Sequence, residues 1–314
     1  MDVSAIVFER PGQLALQTLR LMPATDGDLE VAIDWSGVST GTERLLFEGR
    51  MPTFPGMGYP LVPGYEAVGR VVSGGNGSGF REGERVFVPG AAGCFAEVRS
   101  LFGASASRLV VPARRVVAID EALAENGVLL ALAATAYHAL RLGGGVLPDC
   151  IVGHGVLGRL LARLTIALGG DAPVVWEKTS ERSADARGYD VIDPAADPRR
   201  DYRCICDASG DASLLDVLIA HLAPGGEVLL AGFYSAPLSF SFPPAFMREA
   251  RIRVAAEWRH DDLVAVRGLV DSGALSLDGL ITHRETADTA TRAYQTAFGD
   301  PACLKMILDW SACA

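Results

Sequence analysis

Six residues, Gly153-His154-Gly155-Val156-Leu157-Gly158, carry the clearest chemical signal in this 314-residue chain. They lie within CIVGHGVLGRLLARLTIALGGDAPVVWE, residues 150 to 177, which reads as a short apolar strand, a glycine turn, an amphipathic helix, a second strand and an acid. Each glycine has its own task. Gly153 turns the chain tightly off the strand, Gly155 lets bare backbone approach a pyrophosphate, and Gly158 lets helix and strand pack closely. Val156 and Leu157 open the helix, whose free N–H groups would receive the phosphates. Leu157, Leu160, Leu161, Leu164 and Leu168 form an apolar stripe, and Arg159 and Arg163 fall between them on what is expected to be a charged outer face. Glu177 closes the second strand about 20 residues after the glycines, where a carboxylate accepts hydrogen bonds from both hydroxyls of an adenosine ribose. The pattern predicts a dinucleotide site that takes NAD rather than NADP. Lys178 and Arg182, just beyond, are the residues that would instead favour a 2′-phosphate.

Such a unit needs a sheet to stand on. Residues 1 to 118 read as short β segments (AIVFER, LALQTLRL, LEVAIDWSGVS, AVGRVVS, ERVFVPG) punctuated by Gly and Pro, which indicates a compact β-rich domain. From about residue 120 the text alternates. A helix runs through ENGVLLALAATAYHAL, then come the glycine unit, YDVID, RCICDASG, a helix in ASLLDVLIAHLA, GGEVLLAGF and IRVAAEW. Near-continuous apolar strands separated by helices predict an α/β fold with a parallel, doubly wound sheet. Ser209, in Asp207-Ala208-Ser209-Gly210, and Gly232, before Phe233, end two of those strands, where coenzyme contacts collect. Residues 262 to 314 hold helical text and end in the strand-like ACLKMILDW.

A net charge of -10 excludes a broad electrostatic grip on nucleic acid. The opening MDVSAIVFERPGQ is no signal peptide, and no run reaches the ~18 apolar residues of a membrane span, so the cytoplasm is expected, with at most a peripheral membrane contact. The six cysteines are scattered in apolar runs and read as buried free thiols, Cys204 and Cys206 included.

Two further segments carry a resemblance over essentially the whole chain. SGVSTGTERLLFEG (36 to 49) resembles the G-[IV]-C-G-[ST]-D segment of the medium-chain dehydrogenase/reductase superfamily, and VPGYEAVGRVV (62 to 72) resembles its P-G-H-E-x-x-G-x-V segment. The resemblance implies a GroES-like catalytic domain at 1–118 with a C-terminal return at 262–314, and a Rossmann domain at 119–261. In the superfamily's zinc enzymes the cysteine and histidine of these segments bind the catalytic metal. Here Ser39 or Thr40 stands at the cysteine and Tyr65 at the histidine, while Glu66 is retained. Cys94 alone stands where a structural zinc would need four thiolates. Neither zinc is expected. The resemblance makes Thr42 the relay for an alcohol proton. Tyr65 is either a phenol whose pKa a nearby nicotinamide lowers or a packing residue. Glu66 either serves Tyr65 and the proton or is a structural carboxylate paired with an arginine, and Ser39 either meets substrate or ends a strand. Thr135 resembles the family threonine that contacts the nicotinamide, whereas His138 on the same helix is expected to pack.

Within the superfamily the same segments resemble a zinc-free branch that oxidises the 1-hydroxyethyl group of a bacteriochlorophyllide to acetyl with NAD. That implies a tetrapyrrole substrate, for which MPTFPGMGYPLVPGY (51 to 65) would supply an apolar slot and Arg44 and Arg50 a cationic rim for a propionate. It also favours a homodimer. Two other readings stay open: a zinc-free NADPH quinone or enoyl reductase, which Glu177 opposes, and a dinucleotide-binding protein with no turnover.

Overall fold

The computed structural model describes residues 1–74, 78–100, 102–142 and 146–313. Strands β1 (Asp2–Arg10), β2 (Gln13–Arg20) and β3 (Asp28–Val38) lead into helix α1 (Thr42–Phe47), followed by β4 (Ala67–Gly74), β5 (Arg85–Val88), β6 (Arg108–Pro112) and β7 (Val117–Ala118). Helix α2 (Leu130–Arg141) precedes β8 (Cys150–Val152), α3 (Val156–Ala167), β9 (Val174–Trp176), β10 (Asp190–Ile192) and β11 (Tyr202–Asp207). Then come α4 (Leu215–His221), β12 (Leu222–Leu230), α5 (Phe242–Arg248), β13 (Arg251–Val254) and α6 (His260–Asp271). The chain closes with β14 (His283–Thr286), α7 (Ala290–Gly299) and β15 (Met306–Asp309). It divides into two compact units, residues 1–131 with 278–314, and residues 132–277.

In the first unit β1 and β2 form a hairpin, and a seven-stranded sheet runs β14-β15-β3-β4-β5-β7 with β6 also on β3. The long β3 organises it. Its residues alternate between core and surface, and it pairs antiparallel with β4, β6 and the returning β15. Phe8, Leu29, Leu109, Tyr294 and Trp310 are among the largest fully buried side chains. Trp310 donates from Nε1 to Ser36 Oγ at 2.9 Å, which ties the return to β3.

The helix expected from about residue 125 begins only at Leu130. Glu121–Leu129 is instead a tight 3-10 segment interrupted at Ala124, whose φ is +44°. The cause is close packing on β3 and β4: a Cβ at Gly127 would lie 2.7 Å from Val68 and from Ile119. The first unit therefore runs past residue 118. At the other end, His138 Nδ1 on α2 meets Asp262 Oδ2 on α6 at 2.7 Å, which keeps α6 with the second unit beyond residue 261.

The second unit is a six-stranded parallel sheet in the order β10-β9-β8-β11-β12-β13. This is the doubly wound arrangement, with its topological switch between β8 and β11. Cys150, Ile151, Ile205, Cys206 and Val228 fill its centre without exposure. On α3, Leu160, Leu161 and Leu164 face the core as the spacing predicts. The expected charged outer face is not observed, since Arg159 and Arg163 are only 2% and 7% exposed. Backbone carbonyls explain both: Arg163 Nη1 donates to Ser276 O at 2.8 Å, and Arg159 is enclosed by the loop after β9. All six cysteines are free, and burial pushes the thiols of Cys94 and Cys204 up to about 12. Among the described residues no helix is long and apolar enough to cross a membrane.

The third glycine of the motif is demanded by contact: a Cβ at Gly158 would sit 1.8 Å from Gly153 O. Gly158→Ala should cost about 2 kcal/mol, since helix and strand must separate to admit one methyl group, and urea unfolding monitored through Trp176 would read the loss.

Candidate active site

Three hydroxyls close a ring in the first unit. Ser39 follows the last residue of β3, Thr42 opens α1, and Tyr65 stands two residues before β4. Tyr65 OH donates to Ser39 Oγ at 2.9 Å, Ser39 Oγ donates to Thr42 Oγ1 at 3.0 Å, and Thr42 Oγ1 donates to Tyr65 OH at 3.3 Å. Each oxygen can both give and take a proton. Of the two candidates at the metal-cysteine position it is Ser39, not Thr40, whose hydroxyl joins Thr42 and Tyr65. Phe102 packs edge-on against Tyr65 with ring centroids 5.6 Å apart. The Tyr65 phenol is held in its neutral form. Burial pushes its pKa upward, and the Glu66 carboxylate adds to the rise, so Tyr65 is a neutral hydroxyl rather than a phenolate.

Two buried carboxylates lie beneath the ring. Glu66, 0% exposed, pairs with Lys305 Nζ at 2.7 Å, and the same ammonium lies 3.4 Å from Val38 O. The partner is thus a lysine, where an arginine was the expected alternative. Its second oxygen, Oε1, is buried without a hydrogen-bond partner among the described residues. Glu43 accepts from Ser39 N–H at 2.9 Å and from the Tyr294 hydroxyl at 2.9 Å. Sequence reasoning missed Glu43 and Lys305. Lys305 had a signal, a single cation inside the apolar run ACLKMILDW, because an unpaired ammonium is not buried there.

These donors do not match a catalytic zinc. Such a site needs about three nitrogen, sulfur or carboxylate ligands, and these positions offer two aliphatic hydroxyls, a neutral phenol and a carboxylate already held by an ammonium. No group of three or more His, Cys, Asp and Glu that could hold a metal ion occurs among the described residues.

The second unit builds the coenzyme side. Gly153 turns off β8 at φ +93°, and Gly155 caps α3 just before Val156 and Leu157, with nothing within 4 Å of where its Cβ would be. Glu177 follows β9 directly, accepting from His154 N–H through Oε2 and from Thr179 N–H through Oε1, each at 2.9 Å. Desolvation opposes its charge, but these backbone donors prevail and hold its pKa below the usual carboxylate value. Ser209 and Gly232 lie two residues beyond the ends of β11 and β12, next to the buried Asp207, which accepts from Ser209 N–H at 2.8 Å and from the Tyr234 hydroxyl at 2.8 Å. Thr135 is half-buried on α2, and His138 is a packing residue locked to Asp262, as its position suggests.

The segment 51–65 is less open than a slot. Phe54, Met57 and Tyr59 are half-buried against the core of the first unit, and a small apolar recess remains among Leu46, Met57, Leu61, Val62 and Phe102. Arg44 and Arg50 do not stand free as a rim for a propionate, because both are engaged by Glu48, whose pKa their hydrogen bonds lower.

Burial pushes Glu43 up to about 7 against hydrogen bonds from Ser39 and Tyr294 that favour its charge. The folded protein therefore holds that proton more tightly than the unfolded chain, whose value is near 4.5, so the group's contribution to stability is complete below about 4.5 and is lost as pH rises through about 7. Glu43→Gln should remove this slope. Unfolding free energies of both proteins measured at several pH values across that window would converge or not accordingly.

A profile of the alcohol dehydrogenase GroES-like domain matches residues 25–121. The chain is 60% identical to the 2-desacetyl-2-hydroxyethyl bacteriochlorophyllide A dehydrogenase of Cereibacter sphaeroides, with 100% of each chain covered. It is 56% identical to the protein of the same name from Rhodobacter capsulatus, with 99% of each covered. Among solved structures, a short chain alcohol dehydrogenase from Escherichia coli CFT073 complexed with NADH shares the fold, with a TM-score of 0.84 at 21% identity over 98% of this chain and 99% of that one. The chain belongs to the medium-chain dehydrogenase/reductase superfamily and, within it, to the family of the 2-desacetyl-2-hydroxyethyl bacteriochlorophyllide A dehydrogenases.

Proposed function

We propose that this chain oxidises the 1-hydroxyethyl substituent of a bacteriochlorophyllide to an acetyl group in bacteriochlorophyll biosynthesis, using NAD and no zinc. The observation that carries the substrate is the 60% identity over the full length of a dehydrogenase named for that compound. NAD, when bound, supplies the hydride acceptor. Gly155 and the N-terminus of α3 would hold its pyrophosphate, Glu177 its adenosine ribose, and Thr135, Ser209 and Gly232 complete the set. Glu177, held ionised with both oxygens oriented, supports NAD over NADP.

The C–H bond of the carbinol carbon breaks as a hydride leaves with its electron pair, the O–H proton departs, and a C=O double bond forms. Thr42 takes that proton into the ring it shares with Ser39 and Tyr65, and solvent receives it. Tyr65 acts as a neutral relay, because burial opposes a phenolate. Glu66 and Lys305 balance each other's charge beside Val38, the chain neighbour of Ser39. In zinc enzymes a metal stabilises the alkoxide. Here the macrocycle carries part of that load, because positive charge developing at the carbinol carbon spreads over the attached π system. Simple aliphatic alcohols lack this help.

We further assign a homodimer to the free edge of β13. Phe242, Phe246, Met247 and Val254 are 67%, 65%, 76% and 69% exposed on α5 and that strand, a patch that fits a protein contact. The cytoplasm fits the free thiols.

Purified protein with NAD and a 1-hydroxyethyl bacteriochlorophyllide should develop a red-shifted ring band in step with NADH, and 2-butanol should give little turnover. Thr42→Val should lower kcat about 100-fold and Tyr65→Phe should lower kcat and its solvent isotope effect, as loss of a neutral proton relay requires. An unchanged kcat in both variants would remove the ring from the mechanism. Val254→Arg should halve the mass seen by sedimentation, and a monomeric parent protein would end the dimer assignment.

A further inference from the structure

Glu177 owes its place to side chains that the glycine motif leaves unspecified. His154, the residue between the first two glycines, is fully buried. Its Nδ1 lies 2.6 Å from Arg182 O and its Nε2 2.9 Å from the Tyr189 hydroxyl. A carbonyl only accepts, so Nδ1 carries the proton, and a neutral ring then accepts from Tyr189 at Nε2 in a single tautomer. Burial supports this by holding its pKa down to about 4.

Arg159, one turn into α3, spreads a buried guanidinium over four backbone carbonyls. Nε donates to His154 O at 3.1 Å, Nη2 to Arg182 O at 3.1 Å and Ala184 O at 2.9 Å, and Nη1 to Asp185 O at 3.3 Å. Asp185 is held in the left-handed region at φ +62°, a conformation uncommon for any residue but glycine. The main chain of His154 meanwhile donates to Glu177. One buried residue thus grips Glu177 through its amide, the 182–185 loop through its ring, and Arg159 through its carbonyl.

We infer that His154 and Arg159 are positioning residues for coenzyme choice: they clamp residues 182–185 to the glycine turn, so that Glu177 presents a fixed carboxylate to a ribose diol and the loop cannot withdraw to admit a 2′-phosphate. The inference rests on Glu177 reading the adenosine ribose. A clamp of this kind adds affinity by removing the ordering cost of the loop, not by touching the ligand. The clamp also explains why Arg159 stands on the buried side of a helix whose spacing suggested an outer face.

The test is direct titration of the full chain with NADH and with NADPH by nucleotide fluorescence, without macrocycle, together with amide hydrogen exchange over residues 178–189. Arg159→Met should weaken NADH binding about tenfold, narrow the preference for NADH over NADPH by a similar factor, and speed exchange in the loop, as loss of preorganisation demands. His154→Leu should do the same, and His154→Asn, which keeps an N–H donor for Arg182 O, should recover part of both affinity and preference. If Arg159→Met does not fold, Arg159→Lys, which keeps the charge but loses the fork, carries the same expectation. Folded variants with unaltered NADH affinity and unaltered preference would overturn the clamp. Glu177→Ala separates the two failures. If it binds NADH as tightly as the parent, the ribose assignment falls and takes the clamp with it; if it binds weakly while the His154 and Arg159 variants do not, the clamp alone is wrong.

Discussion

The first unit depends on a charge pair that has no water to fall back on. A carboxylate or an ammonium taken out of solvent alone is costly, and together they are tolerable only at close range. Glu66 and Lys305 meet that condition, and their chain positions give it reach: Glu66 lies just before β4, Lys305 just before β15, and the ammonium also faces Val38 O at the end of β3. Three strands, one of them from the C-terminal return, therefore converge on one ion pair. Ser39 is the neighbour of Val38 and Tyr65 the neighbour of Glu66, so two of the three hydroxyls are placed by the same pair. Gly37 completes the fit, because a Cβ there would stand 2.4 Å from Glu66 Oε2.

The second unit solves the same physical problem with different groups. Arg159 is as deeply buried as Glu66, yet the bonds it makes go to carbonyl dipoles of residues 154, 182, 184 and 185. Asp207 likewise gathers Ser209 N–H and the Tyr234 hydroxyl at the ends of two parallel strands. Buried charge in this chain organises loops at strand ends, where a doubly wound sheet collects its ligands.

Much of this was legible in the sequence. The glycine turn, the helix behind it and Glu177 announce themselves by spacing, because each is dictated by local geometry within 28 residues of text. The parallel sheet follows from apolar runs alternating with helices, and Ser39, Thr42 and Tyr65 from their place in two motifs. What escaped was decided by partners far away in the chain. Arg159 and Arg163 look solvent-facing until the loop at 182–185 and Ser276 close over them. The helix start at Leu130 is set by packing of Gly127 on Val68, and the environment of Tyr65 by carboxylates that composition cannot place. Arg44 and Arg50 both bond to Glu48, which lies between them in the sequence.

The ring of His154 has one more consequence. A histidine beside a nucleotide site ordinarily makes occupancy respond to acidity, since it gains or loses charge near neutrality. With its proton confined to Nδ1 and its pKa near 4, this imidazole is silent from mild acid upward, whereas Glu43 in the other unit changes charge at about 7. Of these two groups, Glu43 in the first unit is the one whose charge changes near neutrality.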